Sequence, residues 1–306
     1  MLYYNGSFTL LPGNQLPLEG PLGVPNFINF WACGSTLYFL DNKSITIFNK
    51  YEDENKVLYF SELDFFGKSG IVAVSRGDGF NFNYPSFDCD SGNIFLAAKN
   101  VHSGLSGILQ FNFRSNDFRL MEFQLDNEEI KKNTVSLPMG LGVINFPDVF
   151  LSRDNLVVSY AFKGNFHVYN RKYNSWRNYD HYAEQYPLAK NLPQEILPSY
   201  SNHQGMAILK DWQDDVSYGS FGQLGERYFF RVVKGRKHNE GVNLFLELFD
   251  ITFRKVDEVN LTNLQPQLGT RWLVLENELF IFSKNQPKED ELAYYKVAIQ
   301  KKNVND

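Results

Sequence analysis

Residues 83–98 read NYPSFDCDSGNIFLAA, and residues 145–160 read NFPDVFLSRDNLVVSY. Aligned on Pro85 and Pro147, each segment has Asn and an aromatic residue just before the proline. Asn93 and Asn155 then fall at the same distance after it, and each leads into an apolar run. A short polar stretch, DCDSGN or SRDN, separates two apolar stretches in both. Asp88, Asp90 and Gly92 together suggest a calcium loop. Calcium, however, needs about six or more oxygen ligands, and an EF-hand also needs a distal Glu and flanking helices. The equivalent places elsewhere, SRDN, CGST and LENE, do not repeat the pair of acids. The stretch therefore reads as a turn between two strands.

Three further segments fit the pattern more loosely: FINFWACGSTLYFL from Phe27, VSYGSFGQLGERYFFRV from Val216 and TRWLVLENELFIFS from Thr270. A second signal follows. Strands end in an aromatic residue plus Asn or Asp at Phe48-Asn49, Phe111-Asn112, Tyr169-Asn170 and Phe249-Asp250, with Tyr4-Asn5 as a fifth instance. A polar turn and another alternating strand come next. Alternation rich in β-branched and aromatic residues suits strands. Asn, Asp and Gly suit hairpin turns. Repeats of four antiparallel strands at about 50 residues are the signature of a β-propeller, in which stacked sheets bury one another's faces. The units predicted are 28–63, 82–125, 145–180 and 216–263, with three strands in 270–301. The whole of 1–306 reads as one propeller domain. Residues 1–11 either complete the last unit, giving five blades, or form the outer hairpin of a sixth. The Tyr4-Asn5 pair favours six. The connections 64–81, 126–144 and 181–215 are long, and the last reads as a flap with a helical turn near Met206–Trp212.

Composition bounds the function. Phe accounts for 28 residues, enough for a large core, and 30 basic against 35 acidic residues give a net charge of −5. Without a basic excess, nucleic-acid binding is disfavoured. Every apolar stretch is well short of the roughly 18 residues that a membrane span needs. MLYYNGSFTLL has neither the basic start nor the apolar core of a signal peptide. Cys33 and Cys89 lack metal-site spacing. Two buried free thiols are the expectation, and a disulfide between neighbouring strands is the alternative.

Three stretches carry a resemblance: EGPLGV at 19–24, VSYGSFGQLGERYFFRV at 216–232 and FLELFDITFRKVDEVNL at 245–261. They resemble a family of uncharacterised Bacteroidetes lipoproteins related to TolB-like six-bladed propellers. The resemblance implies six-bladed kinship and a place in the cell envelope. It supplies no catalytic residues. Family members carry a lipoprotein signal and an extra N-terminal stretch, and this chain shows neither.

No cofactor or metal motif is present. His102, His167, His181, His203 and His238 lack ligand spacing, and no G-x-S-x-G nucleophile occurs. Asp53-Glu54, Asp214-Asp215 and the tip GRKHNEG read as solvated turns. Trp31, Trp176 and Trp272 read as core, whereas Trp212, in the flap, is placed to stack on a sugar. The connections GPLGVPNFINF, GDGFNFNYPSF and GLGVINFPDVF gather at one mouth of a propeller. Asn26, Arg76, Asn83, Tyr84, Asn145, Asp148, Tyr218 and Arg271 are the candidate ligand-binding residues there. The function predicted is a binding module for a protein, peptide or glycan. The alternative is a glycoside hydrolase or polysaccharide lyase, which would need paired carboxylates or a His–Tyr–Arg set inside the channel.

Overall fold

The computed structural model describes residues 3–8, 29–33, 36–40, 44–49, 51, 55–59, 62, 69–73, 86–122, 127–137, 142–144, 147–197, 199–238, 241–275, 278–285 and 292–297. The protein is an all-β propeller. Strand β1 (Tyr3–Phe8) precedes the first blade, which is β2 (Asn29–Cys33), β3 (Thr36–Leu40), β4 (Ser44–Asn49) and β5 (Lys56–Tyr59). The second blade contains β6 (Ile71–Ala73), β7 (Ser86–Asp88), β8 (Asn93–Asn100), β9 (Ser106–Asn112) and β10 (Phe118–Glu122). Helix α1 (Asn127–Lys132) and the hairpin β11 (Thr134–Ser136)–β12 (Gly142–Ile144) follow. The third blade is β13 (Asp148–Ser152), β14 (Asn155–Tyr160), β15 (Lys163–Asn170) and β16 (Ser175–Tyr179). Helix α2 (Asn202–Gln213) leads to the fourth, β17 (Ser217–Leu224), β18 (Tyr228–His238), β19 (Gly241–Asp250) and β20 (Lys255–Asn260). After helix α3 (Leu261–Leu264) come β21 (Leu268–Leu275), β22 (Glu278–Ser283) and β23 (Leu292–Val297).

The described residues form five blades, not six. Strand β1 lies against β23 along its whole length, from Tyr3 opposite Val297 to Phe8 opposite Leu292. The last sheet is thus ordered β1–β23–β22–β21, and the chain's beginning completes the blade at its end. An outermost strand left bare exposes a row of unpaired backbone groups, and β1 covers that row. Tyr4-Asn5 therefore sits in a fourth strand, opposite Lys296 and Tyr295, and its likeness to the third-strand signal is coincidental.

At the other four places the signal has a mechanism. Each aromatic–Asn/Asp pair ends a third strand, and the Asn or Asp side chain caps the turn beyond it. Asn49 Oδ1 accepts from the Tyr51 amide, Asn112 Oδ1 from Arg114 and Ser115, and Asn170 Oδ1 from Tyr173. Asp250 Oδ1 accepts from the amides of Thr252 and Arg254. Short oxygen-bearing side chains do this because they reach their own backbone a few residues on. DCDSGN is the β7–β8 turn. Asp88 Oδ1 accepts from the Ser91 amide, Gly92 has a φ of 72°, and Arg114 donates to the carbonyls of Cys89 and Asp90.

Strands in the middle of a blade are apolar on both faces because each blade has a neighbour on either side. In β14, Leu156, Val158 and Tyr160 pack against Phe95, Ile108 and Met121 of the second blade. Val157, between them, faces Phe221, Phe229 and Phe249 of the fourth. Two more clusters fill the seams between first and second blades and between fourth and fifth. The first strands of successive blades, β7, β13, β17 and β21, are neighbours around the axis.

Cys33 and Cys89 form a disulfide, which corrects the expectation of free thiols. Cys33 ends β2 and Cys89 follows β7, so the bond joins the first blade to the second. Sequence alone could not pair them, because only the ring brings one blade's first turn beside the next.

Candidate functional site

Antiparallel order fixes which loops share a face. The connections from a fourth strand to the next first strand emerge at the same end as the turns between second and third strands. Of the described residues, 127–137, 142–144, 181–197 and 199–215 therefore share one mouth with the turn at Ala161–Phe162. The chain in 181–215 is held close there. Gly164 N donates to Leu188 O (3.0 Å), Lys190 N to Phe162 O (2.8 Å) and Asn191 N to Asp215 Oδ2 (2.9 Å).

Helix α2 is three turns long, more than the single turn the sequence suggested. Ser201 and Gln204 cap it reciprocally, the Gln204 amide donating to Ser201 Oγ and the Ser201 amide to Gln204 Oε1. Its inner face, Leu209 and Trp212, packs on Val135, Leu137 and Ile196. At Gly205 a Cβ would lie 2.9 Å from Leu137 Cδ2, so any larger residue would have to push that methyl aside. Trp212 is buried, its Nε1 donating to Asn191 O (3.1 Å), with Lys190 Nζ 4.3 Å from the ring centre. It is a packing residue and is not open to a sugar.

Two cavities border this flap. One, of about 500 Å³, lies between α1 and the flap and is lined by Glu128, Glu129, Lys132, Phe162, Lys190 and Leu192. Lys163 Nζ pairs with Glu129 at its edge. The other, of about 280 Å³, is lined by Asn191, Leu192, Gln194, Asp211, Asp215 and Arg236. Leu192 belongs to both walls and is 63% exposed. Leu188, Leu197 and Met206 are also exposed on the same stretch. The aromatic rings in the cavity walls, Phe162 and Trp212, are 1% and 4% exposed.

Of the candidate residues read from the sequence, Asn26, Arg76, Asn83, Tyr84 and Asn145 lie outside the described residues. Asp148 opens β13 and is buried, with Oδ2 accepting from Ser220 Oγ at 2.9 Å across the seam to β17. Tyr218 is fully buried, and its hydroxyl donates to Pro187 O (2.7 Å). Arg271, on β21, is exposed. The structure thus joins Asp148 and Tyr218 to the third-to-fourth blade seam, and neither lines the two cavities.

A charged cluster inside that seam escaped sequence reasoning. Glu247 (β19) and Arg231 (β18) lie directly opposite each other, and both are 0% exposed. Glu247 Oε2 accepts from Arg231 Nε at 2.8 Å and lies 2.7 Å from Nη2, which donates to Gly164 O. Its Oε1 accepts from Tyr186 Oη at 2.5 Å and lies 3.0 Å from His181 Nε2 and 3.2 Å from Lys255 Nζ. Lys255 also pairs with Glu258. The Arg231 guanidinium is boxed by Tyr218 at 4.6 Å, Phe221 at 5.1 Å, Phe166 at 5.8 Å and Phe249 at 5.9 Å. Burial alone would raise the Glu247 carboxyl, but Arg231, His181 and Lys255 outweigh it and hold it well below the carboxylate range. Burial pushes His181 down, against the pull of Glu247. Burial, with Glu247 adjacent, raises the Tyr186 hydroxyl, which stays a donor. A signal did exist in the sequence: Arg231 and Glu247 interrupt the apolar runs YFFRVV and LFLELF, where a charge survives only if a partner faces it.

His181, Tyr186 and Arg231 are the residue types a propeller lyase needs, but they are sealed between two blades and do not face the channel. Among the described residues, no His, Cys, Asp and Glu side chains gather as a metal site.

No family model and no curated protein matches the sequence. Solved structures do resemble the fold. A protein of unknown function from Bacteroides caccae matches with a TM-score of 0.42 and 11% identity, over 84% of this chain and 72% of that one. The β-propeller domain of the trilobed protease from Pyrococcus furiosus, described as having an open velcro topology, gives 0.37 and 11%, over 87% and 79%. An oligogalacturonate lyase in complex with manganese gives 0.41 and 7%, over 87% and 74%.

Proposed function

We propose that this propeller is a binding module exported to an oxidising compartment. Its ligand is a peptide segment held across the two cavities that share Leu192. The character of the exposed side chains carries this reading. A sugar ring packs on an open aromatic face, and the aromatic rings of both cavities are buried. Leu188, Leu192, Leu197 and Met206 stand open along the flap, and its one open aromatic among the described residues, Tyr182, lines neither cavity. Of these, Leu192 lines both cavities, where acids and bases surround it. Apolar anchors within a polar rim are the usual anatomy of peptide and protein contacts. Export is supported by the Cys33–Cys89 bond, since structural disulfides persist where the surroundings are oxidising. The resemblance of three sequence stretches to envelope lipoproteins points the same way.

The test is selection from a random peptide library on the intact chain, run beside a glycan array. Peptides with an aliphatic anchor should be enriched. Leu192→Asp should weaken their binding at least tenfold with the melting temperature unchanged. Binding to glycans alone, or peptide binding that Leu192→Asp leaves intact, would overturn the proposal.

A further inference from the structure

We propose that His181 is a proton-operated latch: neutral, it lets residues 181–190 seal the seam between third and fourth blades, and on protonation it releases them. The argument starts from charge balance. The groups facing His181 from every packed element are Arg231 (β18), Glu247 (β19), Lys255 and Glu258 (β20), Tyr186 (the flap itself) and Tyr218 (β17). From β15, Asn165 Oδ1 accepts the His181 amide and also meets the Asp180 side chain through Nδ2. The buried set holds two cations, Arg231 and Lys255, against two carboxylates, Glu247 and Glu258. It is balanced with His181 neutral, its Nε2 lying 3.0 Å from Glu247 Oε1. A further proton leaves a net positive charge in a place with almost no water, where charge is expensive.

Space does not relieve it. A Cβ built on Gly164 would lie 2.0 Å from His181 Cδ2, so the ring is pressed against the β15 backbone there, and Tyr218 meets it edge-on at 5.5 Å. The ring can escape only outward, together with the chain that carries it. That chain is tied to the fourth blade largely by the same cluster. Tyr186 donates to Glu247, Lys255 Nζ donates to Tyr182 O (2.8 Å), and Gln185 N donates to Glu258 Oε1 (3.1 Å). Expelling His181 loosens these ties together. Ala189 and Lys190, which line the larger cavity, lie just beyond them.

Hydrogen–deuterium exchange on the full-length chain tests this without any ligand, so it stands or fails separately from the peptide-binding reading. After correction for intrinsic exchange, amides in 182–190 should open increasingly as pH falls below about 6.5, by up to tenfold per pH unit. Amides in 155–160 and 228–233 should stay far better protected than the flap at every pH. His181→Gln, which can still donate to Glu247 but cannot titrate, should abolish the pH response. Lys255→Gln removes one cation, so the set tolerates the proton better and the pH response should shrink. An unchanged flap between pH 7.5 and 5, a His181→Gln variant that opens as the parent does, or core strands that exchange as readily as the flap would each overturn the latch.

Discussion

The disulfide between Cys33 and Cys89 is the bond whose removal is easiest to quantify. Replacing both residues with Ser removes the link and changes little buried volume. The cost arises in the unfolded chain, which regains the freedom of a loop spanning a sequence separation of 56. For that loop the chain-entropy relation gives about 14 cal/mol/K, or about 4 kcal/mol at 25 °C. Unfolding entropy of about 2.1 cal/mol/K per residue, taken over 306 residues, converts this to a fall of roughly 6 °C in melting temperature. Guanidinium denaturation of the oxidised parent and the double Ser variant, followed by tryptophan fluorescence, measures it. Mass labelling of the denatured parent should find no thiol until a reductant is added. A loss below about 1 kcal/mol, or free thiols in the unreduced parent, would refute the adjacency of β2 and β7 and with it the ring order.

Other outcomes follow from the core and the seam. Phe111→Ala empties a fully packed position between the first two blades and should cost about 3–5 kcal/mol by denaturant midpoint. Glu247→Leu leaves Arg231 and Lys255 without their shared carboxylate and should also cost about 3–5 kcal/mol. A loss near zero would mean that water reaches the seam. Acid should destabilise the fold in two stages. His181 and Glu247 both bind protons more weakly folded than unfolded, so the unfolded chain takes them up first. Stability should therefore decline below the ordinary His value of 6.5, and again below the ordinary Glu value of 4.5 as pH falls towards the folded carboxyl's range. Asp90→Asn should leave the melting temperature indifferent to calcium, because the acidic turn satisfies itself through Ser91 and Arg114.

The blades were legible because a four-strand sheet is a local object. The alternation within IFLAA or LVVSY, and the Asn or Asp that caps each third strand, act within a few residues. Blade number was not legible, because it depends on whether β1 pairs with β23, at the far end of the chain. Trp212 was misplaced because a flap residue declares its polar neighbours in sequence, not the Val135 and Leu137 that cover it.

The sequence by itself determined the repeat, the strands and their turns, since each rests on contacts between residues close along the chain. Tertiary structure alone decided that β1 completes a fifth blade, that Cys33 meets Cys89, and that Glu247 gathers Arg231, His181, Tyr186 and Lys255. The physical reason is the same for all three. Each depends on which blade face or strand edge meets which, and that is fixed only when apolar faces from distant parts of the chain are buried against one another.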